Sequence, residues 1–258
     1  MPQIKLPDGY DGTVLSYVIS FSNTFTSHQQ LKGCLDSTAE NIDQARDLIG
    51  KPLGLFACIT AEEEAARFFY LCLKKRGYEL PRYDKLTSHQ NKARIVIWAT
   101  VFERYYFDVF DSVFSGNYVK LRLEGRRVRL SFHGIMFKRY AVEIPNVLQT
   151  THADGRPKEQ TDVDVERPVI AKMLEAVLKD NFEHTKNVPA IIESLANRRN
   201  KSLYGDPRKK PVLSNVEMVS HFESNCAAII MMGYLIFQDD NIWPSVQVVC
   251  EELGKLLE

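Results

Sequence analysis

Asn187-Val188-Pro189-Ala190-Ile191-Ile192-Glu193-Ser194-Leu195 leads into Arg198-Arg199-Asn200-Lys201-Ser202-Leu203-Tyr204-Gly205-Asp206, and the first half explains why the second is unusual. Asn187 is a good N-cap, Pro189 suits a first helical turn, and Val188, Ile191, Ile192 and Leu195 form an apolar stripe at helical spacing. Continued, the stripe reaches Arg199 and then Leu203, whereas Arg198 is rotated about 100° toward solvent. Arg199 is therefore expected to point inward or toward a partner, for a reason other than packing.

Working outward, the same periodicity predicts a helix-rich chain. Helices are expected near Asp36 to Ile49, Leu55 to Arg76 with Gly77 as the stop, and Thr87 to Phe114, broken by Ser115-Gly116-Asn117. Further helices are expected near Pro168 to His184, Asn187 to Leu203, Ser214 to Phe237 with a Ser214/Glu217 capping box, and Pro244 to Leu257. Between Tyr118 and Val147 the period drops to 2: Val119, Leu121 and Leu123 alternate with Lys120, Arg122 and Glu124, then Val128, Leu130 and Phe132 with Arg127, Arg129 and Ser131. The fold class read from this is mainly α, an antiparallel bundle with a small β-hairpin insertion. Its domain plan is an unassigned extension over 1–35 and one helical domain over 36–258, interrupted by the insertion at about 118–147 and a polar loop at about 148–165.

Composition narrows the function classes. The 258 residues carry 33 Lys plus Arg against 33 Asp plus Glu, so no global field draws the protein to nucleic acid and local patches must do any such work. Two patches exist: Lys120, Arg122, Arg126, Arg127, Arg129, Lys138 and Arg139 on the insertion, and Arg198, Arg199, Lys201, Arg208, Lys209 and Lys210 after the fifth helix. A basic ribbon can track a phosphate backbone, or it can guard a sheet edge against aggregation. Cys34, Cys58, Cys72, Cys226 and Cys250 are odd in number and lack a CxxC pair, so they read as reduced core residues of a cytoplasmic protein. No signal peptide is expected. The apolar run from Cys226 to Phe237 is shorter than the roughly 20 residues of a membrane span and reads as a buried central helix.

Three motifs resemble one family. Glu62-Glu63-Glu64-Ala65-Ala66-Arg67 is similar to the Glu-Glu-x-(small)-Lys signature of the abortive-infection AbiV branch of HEPN proteins, with Glu63, Glu64 and Arg67 matching. His89-Gln90-Asn91-Lys92 resembles that family's His-x-x-Lys, and Arg199-Asn200-Lys201-Ser202-Leu203-Tyr204-Gly205-Asp206 its Arg-x-x-x-Leu-Tyr-x-Asp element. The resemblance covers roughly 36–114 and 166–237. It implies a HEPN-like bundle that dimerises with two arginine motifs facing one cleft, and a phage-defence effector that cleaves or binds RNA without a metal or cofactor. Arg199 would hold phosphate, Asn200 orient it, and Tyr204 supply a proton or hydrogen bond, with Glu63, Glu64, Arg67, His89, Lys92 and Asp206 in support. Lys120, Arg122, Arg127, Arg129, Arg198 and Lys201 would contact RNA. Tyr204 stands where the broader ribonuclease pattern has His, and a phenol, with a pKa of about 10, serves as a base only beside a cation that depresses it. His184 and His221 are alternative proton acceptors.

The residues also admit plainer roles. Glu62 interrupts the apolar stripe Leu55, Ile59, Ala66, Phe69 and Leu73, and a buried carboxylate must be paired or protonated. The glutamates would then orient Arg199 or Lys92, Glu63 and Arg67 would form a surface pair, and the protein would be a non-catalytic helical dimer binding a phage or antitoxin protein. A third reading places the function in the β insertion. No cluster has metal-ligand spacing.

Overall fold

A computed structural model describes residues 3–81, 88–124, 127–136, 140–144, 148, 156–182, 187–205, 211–238 and 240–258. Along the chain run β1 (Gln3–Ile4), α1 (Val14–Ile19), a 3-10 turn (Ser20–Phe25), α2 (Gln29–Asp47), α3 (Pro52–Arg76) and α4 (His89–Val113). They are followed by β2 (Phe114–Glu124), β3 (Arg127–Met136), β4 (Tyr140–Ile144), α5 (Gln160–Asn181), α6 (Val188–Tyr204), α7 (Val216–Gln238) and α8 (Pro244–Leu257). The protein is mainly helical with a small sheet.

α3 organises the helices. It starts at Pro52, whose fixed φ suits the first turn, and stops at Gly77, which takes φ 89° and returns its N–H to Leu73 and Lys74 carbonyls. Between those ends it packs against α2, α7, α4 and α6. Its rings interlock with their neighbours: Phe69 lies 5.4 Å from Trp98 and 4.9 Å from Phe102 of α4. α7 is buried without a break from Cys226 through Ile236, as its apolar run predicts, while its first turns are largely exposed. No helix among the described residues is long and apolar enough to cross a membrane. All five cysteines are buried and unpaired.

The sheet has the order β1-β2-β3-β4, with β1 parallel to β2 and the other pairs antiparallel. Leu121 faces Leu130 and Arg122 faces Arg129, so Val119, Leu121, Val128, Leu130 and Phe132 share a buried face. Side chains fasten it to the helices: the Tyr17 hydroxyl donates to the Leu121 carbonyl (3.0 Å), the Gln238 side chain accepts from the Leu130 N–H (2.9 Å), and Arg129 Nη1 donates to the Gln238 carbonyl (3.0 Å).

Several expectations are corrected. Residues 1–35 are no separate extension among those described, because α2 begins at Gln29 and crosses the expected boundary, while Leu15, Val18, Phe25 and Leu31 are core residues. Ser115-Gly116-Asn117 does not separate helix from strand; the chain passes directly into β2, and the register shift between Ser115 and Tyr118 falls on that triplet. The loop expected to 165 ends earlier, since α5 starts at Gln160, where the Asp162 carboxylate caps the Glu159 N–H, and Pro168 lies inside the helix. At α7 the cap is Asn215, which accepts from the Met218 N–H at 3.0 Å, rather than Ser214 with Glu217.

Gly233 marks where α3 and α7 approach too closely for a side chain: a Cβ there would lie 2.4 Å from Phe68 Cε1. Because Phe68 is fully buried, Gly233→Ala should cost about 1–3 kcal/mol by overpacking. A lowered urea midpoint with unchanged slope would show this, and a wild-type midpoint would mean that the helices part freely.

Candidate functional site

Four residues from three helices converge beside α3. Arg199 of α6 points inward, with 15% of its side chain exposed, and its guanidinium lies 4.8 Å over the Phe56 ring. Its Nη1 is 2.7 Å from His89 Nδ1 and 3.8 Å from Glu63 Oε2. The same Glu63 oxygen accepts from Lys92 Nζ at 3.2 Å. Glu63 is almost fully covered, at 7% side-chain exposure, whereas His89 is exposed. One buried carboxylate thus faces two cations, and their surplus positive charge meets solvent at His89.

The chemistry of the Arg199–His89 contact is fixed by the donor inventory. A guanidinium has no acceptor, so Arg199 donates, Nδ1 accepts, and the ring proton sits on Nε2. In this arrangement His89 presents an N–H outward, Lys92 presents an ammonium that is 24% exposed, and both can donate to an anion. Two clefts meet at His89. One is bordered by Arg94, Glu193 and Asn200, the other by Glu62, Glu63, Leu195 and Arg198. Among the described residues no three His, Cys, Asp or Glu side chains are placed to hold a metal ion.

The remaining sequence-derived candidates fall differently. Tyr204 is 82% exposed and does not face Arg199, because five residues rotate a helix by about 500°, leaving the phenol roughly 140° away. Arg198 does not extend into solvent; its guanidinium covers the Phe222 ring at 5.2 Å. Arg67 pairs with Glu64 at 3.3 Å, one turn earlier, and not with Glu63, which is committed to Lys92 and Arg199. Asn200 lines the cleft it shares with His89, while Lys201 and His221 are exposed. Asp206, His184, Arg126, Lys138, Arg139, Arg208, Lys209 and Lys210 lie outside the described residues, as does the side chain of Arg127.

On the sheet, the strand register joins Lys120, Arg122 and Arg129 on one face, which sequence alternation left on separate strands. Glu124 sits among them, 2.8 Å from Arg122 and 3.5 Å from Arg129. One of the three positive charges of that patch is therefore offset, as in a charged strand that discourages edge pairing.

Glu62 is the group the motif comparison passed over. Burial pushes its carboxyl up to about 7, against the Asn225 amide, 3.3 Å away, and Arg198, with the neighbouring Glu63 charge adding to the rise. It lines the narrower cleft beside His89. The signal for it was present in the sequence as the carboxylate interrupting the apolar stripe.

With this geometry in hand, comparison with known proteins adds no relative: no family model, curated protein or solved structure matches the chain.

The Glu62 shift has a thermodynamic consequence. Between about 4.5, the ordinary value, and about 7, folded Glu62 holds a proton that the unfolded chain has released. Stability from this group is therefore complete below pH 4.5 and is lost as pH rises through 7. Glu103, pushed up to about 8 by burial despite the opposing charge of Arg104, acts in the same direction. Urea midpoints should fall between acidic and mildly alkaline pH, and Glu62→Gln should reduce that fall. An identical pH slope in the variant would show that Glu62 does not titrate in this range.

Proposed function

We propose that the protein is a cytoplasmic, HEPN-like effector of the abortive-infection type that acts on RNA as a homodimer, gripping a backbone phosphate at the Arg199–His89 pair. The observation that carries this reading is the 2.7 Å contact between Arg199 and a histidine 110 residues away. It places beside the arginine the proton-accepting group that Tyr204 cannot supply from its exposed position. The mainly helical architecture and the meeting of the Glu63, His89-x-x-Lys92 and Arg199 motifs at one point support it as well.

The chemistry follows from what each group can do. An incoming phosphate draws the Arg199 N–H groups, or the ammonium of Lys92, onto its oxygens. Once Arg199 turns away, His89 Nδ1 is free to take the proton of the 2′-hydroxyl as that oxygen attacks phosphorus, and the 5′-oxygen leaves with a proton from solvent. Arg199 then faces the charge that grows on the phosphoryl oxygens. Glu63 keeps both cations positioned throughout.

A second reading has its own observation. The Arg199 guanidinium is largely covered, stacked on Phe56 and tied to a buried carboxylate, which is also what a structural strut of a non-catalytic dimer would look like. Such a dimer would bind a phage or antitoxin protein.

Labelled transfer and messenger RNA incubated with the protein in EDTA separates the two. The RNA-cleaving reading expects products with cyclic phosphate ends. It also expects losses of about 10²-fold or more in His89→Ala and Arg199→Lys, with circular dichroism unchanged and Tyr204→Phe active. Absence of cleavage by a folded dimer, or activity retained in His89→Ala, would overturn it. Unfolding on Arg199→Ala with no cleavage by wild type would favour the strut.

A further inference from the structure

A separate cleft of about 870 Å³ opens at the C-terminal end of α3, beneath the sheet. Its size lies within the roughly 300–1,000 Å³ of small-ligand pockets, too small for a protein domain. Two cations from α3, Lys75 and Arg76, line it. Lys75 is exposed. Arg76 is fixed in place: Nη1 donates to Asp240 at 2.6 Å, Nη2 donates to the Phe237 carbonyl, and its Cζ lies 4.5 Å over the Phe237 ring. Its Nε is buried without a hydrogen-bond partner.

Apolar side chains line it as well: Leu123 continues the alternation of Val119 and Leu121, which are 0% and 6% exposed, yet Leu123 itself is 56% exposed and lines the cleft together with Val128. The lining also includes Asn23, Thr26 and Ser27, short side chains able to donate and accept. His28 completes the site, its ring edge against Phe237 at 5.2 Å. The charged groups around it are Lys75, Arg76 and Asp240, two cations against one carboxylate. Burial, then Lys75, then Arg76 hold His28 below the usual imidazole range. The local field is thus positive and cation-crowded in a molecule that is neutral overall.

We propose that this cleft binds a nucleotide, with its phosphate on Lys75 and Arg76 and its base between Leu123 and the Arg76 guanidinium. Apolar side chains, a planar cation and short polar groups all line one nucleotide-sized space, a combination that neither inorganic phosphate nor a nucleoside alone would satisfy. The site is distinct from the Glu63 cluster and does not depend on the RNA reading. The ligand is either a free nucleoside phosphate or the phosphorylated end of an RNA, which present the same chemistry.

The test is calorimetry together with the NMR titration of the His28 ring, using AMP, adenosine, inorganic phosphate, and short RNA oligomers with and without a 5′-phosphate. AMP should bind and raise the His28 pKa, since a phosphate opposes the two cations that depress it. Adenosine and phosphate should each bind at least about tenfold more weakly, a difference of roughly 1.4 kcal/mol. Lys75→Glu, an exposed change that spares the core, should weaken AMP by at least about tenfold through lost and reversed charge. Displacement of AMP by the 5′-phosphorylated oligomer alone would assign the RNA end, and no displacement would assign the free nucleotide. The proposal fails if AMP at millimolar concentration neither releases heat nor moves His28. It also fails if phosphate binds as tightly as AMP, or if Lys75→Glu leaves AMP binding unaffected.

Discussion

Among the described residues Glu63 is the one acid that both Arg199 and Lys92 approach, and the geometry of the candidate site depends on it. An arginine on the inner face of α6 cannot shed its charge, so it folds inward only where a carboxylate waits. Glu63 meets that requirement from the middle of α3, with 7% of its side chain exposed, and holds Lys92 of α4 at the same oxygen. Removing it would leave two partly covered cations facing each other, and α4 and α6 would lose the charge that joins them across α3. The cluster is therefore a structural joint as well as a binding surface, and these roles compete for Arg199. His89 is released from that competition by its exposure: it touches the cluster through one ring nitrogen and faces outward with the other.

How the residues were read from sequence follows the physics of each helix. α6 lies at the edge of the bundle, so a single stripe described it, and the inward turn of Arg199 was legible four residues after Leu195. α3 is flanked by α2, α7, α4 and α6, and no single stripe describes a helix covered from several directions. Periodicity consequently placed Glu62 inside and left Glu63 ambiguous, whereas the structure covers both and assigns the cations to Glu63. The Arg199–His89 contact spans 110 residues and leaves no local trace; only the motif resemblance links the two. Tyr204 shows the opposite error, where motif spacing was followed although helical rotation already turned it away.

The same logic explains the misread boundaries. The sequence places a helix start near Pro168, but the structure starts α5 at Gln160, capped by Asp162, and carries Pro168 inside the helix at the loss of one intrahelical hydrogen bond. Residues 1–35 lack a long periodic stretch, since α1 has 6 residues and is followed by a 3-10 turn, yet they contribute Val18 and Phe25 to the core. Their packing becomes visible only through distant partners, such as the Tyr234 hydroxyl that donates to the Val18 carbonyl at 2.9 Å.

The two cation-rich sites sit on one helix, and that fixes how they can interact. Glu63 and Arg76 are 13 positions apart in α3, about 20 Å along a helix rising 1.5 Å per residue. Between them Phe68 is locked against Gly233 of α7 and Phe69 against Trp98 and Phe102, so this part of α3 has no slack for sliding. The Glu63 cluster reaches α4 and α6; the Arg76 cleft reaches the 3-10 turn, the sheet and the end of α7. They share no side-chain partner. Energetic effects of changes at such separated sites add, so occupation of the cleft would leave the Arg199–His89 geometry as it stands unless α3 moved as a rigid body. Any movement of that kind would first have to open the Gly233–Phe68 contact, where α3 and α7 leave no room for a side chain.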